Sequence, residues 1–335
     1  MISDLLIYPF ENNIFSADNA PTLLLGANYS DVFKKFSNLD VIQNNFARAD
    51  KFEQKGFNVQ QNIDDTKQYD LILYAVPQQK IEAQYMLACL SKILSPNGQL
   101  VAAAMNDAGG KRLPKWFKEI GFDCESLSKS KGRVVWSTSG ELDQQKVEEW
   151  IVVGQAQDID LDDLSFKTKP GIYGWNKIDT GSRLLIDSLS DELSGIGADY
   201  GCGYGYLSHQ ILNQYPNIQK LYAMDADYNS LDCARYNLST FDQIEYCWCD
   251  LTKPQHELEQ LDFIIMNPPF HDGKLTASSI GVDFIKMACN QLKKDKKLYI
   301  VANNHLPYEK VLAEFFTNVQ KIDEKSGFKV FCAVK

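Results

Sequence analysis

The tetrapeptide Asn267-Pro268-Pro269-Phe270 closes the apolar run Leu261-Asp262-Phe263-Ile264-Ile265-Met266. The run reads as a buried strand, which sets the tetrapeptide at a strand's carboxyl end, where open α/β sheets place their ligands. Two prolines in succession remove two backbone N–H donors and stiffen the turn, so nearby carbonyls are left to accept from a ligand. The Asn267 carboxamide oxygen and the Pro268 backbone carbonyl can together hold both hydrogens of a planar exocyclic amino group, and Phe270 offers a face for the ring that bears it. Methyl transfer to a nucleobase nitrogen is the chemistry such a corner suits. An ordinary strand-to-loop corner can carry the same four residues, so the sequence upstream has to decide.

Upstream, residues 196–208 (Ile-Gly-Ala-Asp-Tyr-Gly-Cys-Gly-Tyr-Gly-Tyr-Leu-Ser) read as a strand, a glycine-rich turn and a helix start. Glycines at such a turn let a ligand approach the backbone closely, although a G-x-G-x-G loop alone would equally suit a nicotinamide enzyme. A second strand, 220–225, ends in Asp225, 22 residues after Gly203. That is close to the about 20-residue spacing of an acid that accepts from ribose hydroxyls. A third strand, 244–249, leads to Asp250, and the fourth delivers Asn267. A glycine loop, two acids and N-P-P-F, each at a strand end and in this order, form a specific combination. A dehydrogenase would give N-P-P-F no task.

These residues resemble S-adenosylmethionine-dependent methyltransferases that act on amino groups. The resemblance implies that Asp199, Gly201, Cys202, Gly203 and Gly205 form the first motif, whose loop lies against the methionine and ribose part of the cofactor. It implies that Asp225, with Ala226 beside it, meets the ribose and that Asp250 meets the adenine amino group. Asn267, Pro268, Pro269 and Phe270 match the catalytic motif, with Asn267 also bordering the cofactor. No metal is implied. Tyr200 departs from the small or aliphatic residue that many members carry, and Tyr204 and Tyr206 crowd the loop. Tyr200 is expected to face the sheet.

The elements that must position these groups occur twice. At 335 residues the chain exceeds a usual single domain, and 44% hydrophobic and 12% aromatic content is ample for packed cores. In the first half, 22–29 reads as a strand and glycine turn, 69–80 as a strand running into a proline corner, 81–94 as a helix, 95–98 as a turn and 99–106 as a strand. In the second half, 261–266, the N-P-P-F corner, a helix over 281–292, a turn over 293–297 and a strand over 297–304 repeat the series, and the closing strands 132–136 and 327–332 match in kind. The expected fold class is α/β, with two tandem Rossmann-like methyltransferase domains from a duplication, over 1–155 and 156–335. The first copy has one glycine in Gly26-Ala27-Asn28 and carries Ala75-Val76-Pro77-Gln78 in place of N-P-P-F. Val76 cannot present a carboxamide, so this copy is expected to be catalytically silent and degenerate, serving to support the second copy or to grip the target. Between the copies lie an acidic stretch, 155–163, and a helix starting near Lys177 with Asp179 or Thr180 as cap. Asp179 and Ser182 either border the cofactor or only cap that helix.

The net charge of −10 argues against broad, sequence-independent adhesion to nucleic acid. Local basic surface is offered by Lys111, Arg112, Lys115 and Lys118, interleaved with Trp116 and Phe117 in a manner that suits RNA contact, and by Lys129, Lys131 and Arg133. The lysines of 293–297 read as a polar turn. No apolar stretch nears the about 18 residues of a membrane span, and the first residues lack a basic leader, so membrane insertion and export are not expected. The eight cysteines are expected to be free thiols in a reducing cytoplasm. His271 reads as a structural loop residue, because the methylated product can lose its proton to water. His209, His256 and His305 have no metal-ligand company. A monomer is expected, since duplication already supplies an internal partner.

Taken along the whole chain, the order is F-K-T-x-P-G at 166–171, I-D-x-G-S at 178–182, D-x-G-C-G-x-G at 199–205, N-P-P-F-H-D-G at 267–273 and V-A-N-x-x-L-P-Y at 301–308. It resembles the small-subunit ribosomal RNA guanine-N2 methyltransferases of the RsmC type. The resemblance implies S-adenosyl-L-methionine as cofactor and one guanine in helix 34 of 16S rRNA as target, within the assembled small ribosomal subunit. Adenine-N6 enzymes share N-P-P-F but usually carry a separate basic recognition domain. Enzymes acting on glutamine in release factors favour N-P-P-Y and lack a silent half. A non-catalytic ribosome assembly factor would leave the intact N-P-P-F without a task.

Overall fold

The computed structural model describes every residue except Met1, 17–18, 162–163, 255–257, 259 and 270–275, together with the side chains of 276–279. The chain divides into two compact units, Met1–Gln155 and Ala156–Lys335. In the first unit the elements are α1 (Ile2–Glu11), β1 (Thr22–Leu25), β2 (Leu39–Ile42), α2 (Phe46–Glu53), β3 (Asn58–Gln60), β4 (Tyr69–Ala75), α3 (Lys80–Lys92), β5 (Leu94–Met105), α4 (Leu113–Glu119), β6 (Phe122–Lys129), β7 (Gly132–Gly140) and α5 (Gln144–Gly154). The second unit opens with a hairpin, β8 (Gln157–Leu161) and β9 (Leu164–Thr168). It continues through α6 (Thr180–Asp187), β10 (Gly195–Tyr200), α7 (Tyr206–Gln214), β11 (Ile218–Asp225), α8 (Tyr228–Asn237), β12 (Ile244–Trp248), β13 (Leu261–Met266), α9 (Thr276–Gln291), β14 (Leu292–Asn303), α10 (Tyr308–Phe315), β15 (Asn318–Lys325) and β16 (Phe328–Val334).

Alternate residues of the central strands feed different apolar clusters, because a strand turns successive side chains to opposite faces. Ile264 and Met266 join one cluster while Phe263 and Ile265 join another, and Ile72 and Tyr74 likewise separate from Leu71 and Leu73. Each unit is thus a sheet buried on both faces, which is why its inner strands read as continuous apolar runs.

The two seven-stranded sheets have one topology. Their orders are β3-β2-β1-β4-β5-β7-β6 and β12-β11-β10-β13-β14-β16-β15. The last-formed strand of each runs antiparallel between its neighbours, and the first five strands are parallel. Even the irregularities agree. Tyr69 pairs with Leu94 and Leu71 with Gln99, while Leu261 pairs with Leu292 and Phe263 with Lys297. The two expected turns, 95–98 and 293–297, are therefore bulged starts of β5 and β14, and Asp295 takes a φ of 63° to make the second. An internal duplication accounts for a shared defect as well as a shared order.

Several expectations needed adjustment. The short strands β2 and β3 were not legible, and the acidic stretch before the second copy forms the β8–β9 hairpin, whose apolar positions alternate with charges. Helix α9 begins at Thr276, ahead of the expected 281. Trp116 and Phe117 are 4% and 0% exposed, so they are core residues and present no stacking face to RNA. Lys293 and Lys296 pair with Asp262, and Lys297 pairs with Asp191, so the basic run is held by internal ion pairs. All eight cysteines are free thiols. No helix among the described residues is long and apolar enough to cross a membrane.

Phe166 of β9, 1% exposed, packs edge-on against Tyr204 and His209 and ties the hairpin to the glycine turn and α7. Phe166→Ala is expected to cost about 3–5 kcal/mol of stability, read as a lower urea midpoint with an unchanged slope. A loss below about 1 kcal/mol would show that the hairpin is not part of this core.

Candidate active site

The order of the second sheet reverses between β10 and β13, and the carboxyl ends of these strands open onto a cavity of about 400 Å³. A crevice at such a switch point is where doubly wound sheets bind ligands. Gly201 and Cys202 leave β10 by donating their N–H groups to the Met224 carbonyl, at 2.8 and 3.0 Å. The turn then needs left-handed backbone at Gly203, with a φ of 57°. There its N–H reaches Asp225 Oδ2 at 2.8 Å. Asp225 Oδ1 accepts from Asp227 N at 2.8 Å, and Asp227 caps α8 by accepting from Asn229 N. One carboxylate at the end of β11 thereby sets the loop on one side and the next helix on the other. Burial, with the neighbouring Asp227 charge second, pushes the Asp225 carboxyl up to about 6.

Asp199 lies beneath the loop, fully buried. Its Oδ2 accepts from Ser208 N at 3.1 Å and Ser208 Oγ at 2.7 Å, which anchors the first turn of α7 to β10. Its Oδ1 has no hydrogen-bond partner among the described residues, and burial pushes the carboxyl up to about 7.

On the opposite wall, Asn267 Nδ2 donates to Asp179 Oδ1 and to Ser182 Oγ, both at 2.7 Å. Asp179 is also the N-cap of α6, accepting from Ser182 N at 3.0 Å, and it accepts from the Tyr173 hydroxyl at 2.9 Å. Both readings of Asp179 hold together: it caps the helix and borders the cavity. With the amide nitrogen engaged in this way, the buried Asn267 Oδ1 is left without a partner among the described residues.

Of the residues singled out from the sequence, Gly201, Cys202, Gly203, Asp225, Ala226, Asn267 and Pro269 line this cavity. Asp199 acts from below the loop, Gly205 heads α7 with a φ of 94°, and Pro268 is buried behind the corner. Asp250 turns its carboxylate into its own loop, accepting from Thr252 N and Oγ1 at 3.0 and 2.6 Å, and the wall residue of that segment is Leu251. Phe270, His271, Asp272 and His256 lie outside the described residues. Sequence reading missed Leu251, Asp227 and Phe284 as wall residues. Leu251 could have been found as the neighbour of Asp250, whereas Phe284 comes from the middle of α9 and had no local signal. Among the described residues no cluster of His, Cys, Asp or Glu could hold a metal ion.

The same positions in the first unit differ. Pairing puts Leu25 beside Tyr74 and Ile42, as it puts Tyr200 beside Met266 and Met224. Ala75, not Val76, therefore occupies the place of Asn267, and Gln43 that of Asp225. Gln43 is 4% exposed. It folds back on the turn, donating from Nε2 to the Ala27 carbonyl at 2.9 Å and accepting from Asn45 N at 3.1 Å. The loop is tied down in both units, but in the first by a neutral amide that faces inward.

A nicotinamide enzyme needs a flat bed for its ring at this switch point; an unpartnered amide oxygen beside a glycine cradle suits a methyltransferase of the doubly wound α/β kind. Residues 163–332 match the family model described as Methyltransferase small domain, and 14–152 match Methyltransferase small domain N-terminal. The chain belongs to the Methyltransferase small domain family. Relatives named Ribosomal RNA small subunit methyltransferase C include that of Shewanella pealeana, 28% identical over 271 residues (80% of this chain and 78% of the relative), and that of Psychromonas ingrahamii, 27% identical over 289 residues (85% and 81%). Among solved structures, the T. thermophilus 16S rRNA N2 methyltransferase RsmC, in complex with AdoMet and guanosine, superposes with a TM-score of 0.80 at 19% identity, covering 100% of this chain and 91% of that one. At that identity the likeness establishes the tandem fold.

Methyltransferases of this family use S-adenosylmethionine, and the site fits such a group. The Asp225 carboxylate and the Gly201–Gly203 backbone form one continuous wall, and a Cβ on Gly203 would project into open space.

The buried Asp199 carboxyl generates a pH test. Its folded pKa of about 7 lies above the about 3.9 of an unfolded Asp, so protonation favours the fold and stability falls as pH rises through 7. Asp199→Asn keeps an acceptor for Ser208 and has no charge to bury. The thermal midpoint of the variant relative to wild type, both without cofactor, is expected to rise between pH 5 and pH 8, by at most about 1.4 kcal/mol per pH unit in stability. A difference independent of pH would contradict this assignment.

Proposed function

We propose that the second unit transfers a methyl group from S-adenosyl-L-methionine to the exocyclic N2 of a specific guanine in helix 34 of 16S rRNA, within the assembled small subunit. The observation that carries this reading is the buried, unpartnered Asn267 oxygen at the cavity wall. The ribosomal RNA methyltransferases that the chain resembles along 80% or more of its length support the substrate class. Bound in the cavity, the cofactor supplies an electrophilic methyl group on a sulfonium sulfur. Asp225 holds its ribose hydroxyls, the Gly201–Gly203 backbone lies along its methionine part, and Leu251 and the Asp250 loop border the adenine.

The protein's own task is to make a poor nucleophile reactive. Guanine's amino lone pair is delocalised into the ring. Accepting both N–H groups, on Asn267 Oδ1 and on the Pro268 carbonyl, favours a pyramidal nitrogen with its lone pair directed away from the corner. These hydrogen bonds strengthen as positive charge grows on nitrogen, so they favour the transition state over the ground state. Most of the remaining acceleration is positioning. The base must leave its helix to reach the corner, and Phe270 gives it a stacking partner. The ammonium product loses its proton to water.

The first unit, with Ala75 and Gln43 at the two key positions, is catalytically silent in this reading and supports the second unit or grips RNA. The chain acts as a cytoplasmic monomer. The test is transfer of labelled methyl groups to small subunits from cells lacking the enzyme, with naked 16S rRNA, DNA and release factor in parallel. Label is expected as N2-methylguanine on the small subunit, and Asn267→Ala is expected to lower kcat by about 10²–10³-fold. Label on adenine or glutamine would replace the substrate assignment. No label on any of them, with cofactor still bound, would make the protein a binding factor.

A further inference from the structure

A carboxamide has two ends of nearly equal shape and opposite hydrogen-bonding sense. If Asn267 turned its NH₂ into the cavity, donors would face the donors of the substrate amino group and transfer could not begin. Something must fix which end points in. The geometry points to Asp179 as the positioning residue that sets the polarity of Asn267, an inference that rests on the amino-methylation reading above.

The argument is one of donor and acceptor types. An ionised carboxylate accepts and cannot donate. Asp179 Oδ1 stands 2.7 Å from Asn267 Nδ2, within the short range of charge-assisted hydrogen bonds. Reversing the amide would press its oxygen against the carboxylate. Ser182 Oγ, also at 2.7 Å, can rotate to either role and so supports the arrangement without choosing it. Asp179 is itself fixed on both oxygens: Oδ1 takes the Ser182 N–H and Oδ2 the Tyr173 hydroxyl. Helix α6, which carries the cap, is seated by the buried Leu184, Leu185 and Ile186. Gly181 completes the device, because a Cβ there would come within 3.0 Å of Asp179 Oδ1 and 2.9 Å of the Phe328 ring. The spacing I-D-x-G-S thus has a task at each named polar position: Asp for polarity, Gly for room, Ser for the cap N–H and the second acceptor.

The test compares two substitutions in the full chain that treat the helix alike. Asn and Ser cap helices about as well as Asp, so a role confined to capping leaves Asp179→Asn and Asp179→Ser equally active. For polarity they differ. Asp179→Asn can keep an oxygen toward Asn267 by turning its own amide to the Tyr173 oxygen, whereas Asp179→Ser offers a shorter hydroxyl that can donate or accept. Asp179→Asn is expected to stay within about threefold of wild-type kcat and Asp179→Ser to lose about tenfold or more, with the cofactor Kd of both within about threefold. Equal activities would overturn the proposal. So would a loss that resides in cofactor Kd at unchanged kcat, which would make Asp179 a cofactor ligand. A readout independent of turnover separates this proposal from the function itself: the Asn267 side-chain amide protons, assigned by ¹⁵N NMR from their loss in Asn267→Ala, are expected to exchange slowly with solvent in wild type and Asp179→Asn, and fast in Asp179→Ser. Fast exchange in wild type would refute the lock even if methyl transfer is observed. Slow exchange without transfer to any acceptor would leave the lock standing and remove the proposed reaction.

Discussion

The site depends on a single constraint, that a buried amide oxygen at the end of β13 must be kept without a protein partner and pointed at the cavity. An unpaired buried carbonyl costs about 1–3 kcal/mol, and left to itself the side chain would turn or fold back to satisfy it. Two hydrogen bonds from the other end of the same amide, to Asp179 and Ser182, hold it in place. They do so because α6 and β13 are each fixed by buried apolar residues. The rest of the unit is arranged around this corner: a sheet that brings β10 and β13 side by side, a loop held by Asp225, and a helix start held by Asp199.

The two units show what is scaffold and what is chemistry. They share strand order, strand directions and a bulge at the same place in the fifth strand. They differ at a few strand-end positions, where Ala75 stands for Asn267 and Gln43 for Asp225. Gln43 shows that the loop after the first strand has to be tied to the end of the second whether or not a ligand is bound. A neutral amide that donates to the loop carbonyl serves folding. A carboxylate that accepts from the loop N–H serves folding too, and also faces the cavity.

Much of this was legible in the sequence, and the boundary between what was and was not is physical. The glycine turn, Asp225, Asn267 and the repeated series of elements are local patterns a few residues long, so they could be read directly. The lock was not legible in the same sense. Asp179 and Asn267 are 88 residues apart, and either cap or cofactor contact fitted Asp179 until the fold brought the two together. Leu251 and Phe284 reach the wall through the packing of their segments. Trp116 and Phe117 misled because aromatic residues among lysines look the same whether they face RNA or the core. The β8–β9 hairpin was hidden because its outward positions are acidic and only Ile159, Leu161, Leu164 and Phe166 mark its inner face.

The most direct measurement is a structure of the protein with S-adenosylhomocysteine and guanosine. The account requires the guanine N2 amino group within about 2.7–3.2 Å of the Asn267 terminal atom that points into the cavity, while the other terminal atom stays on Asp179 and Ser182. A guanine whose amino group lies away from Asn267, or an Asn267 side chain that has left Asp179 to meet the base, would contradict it.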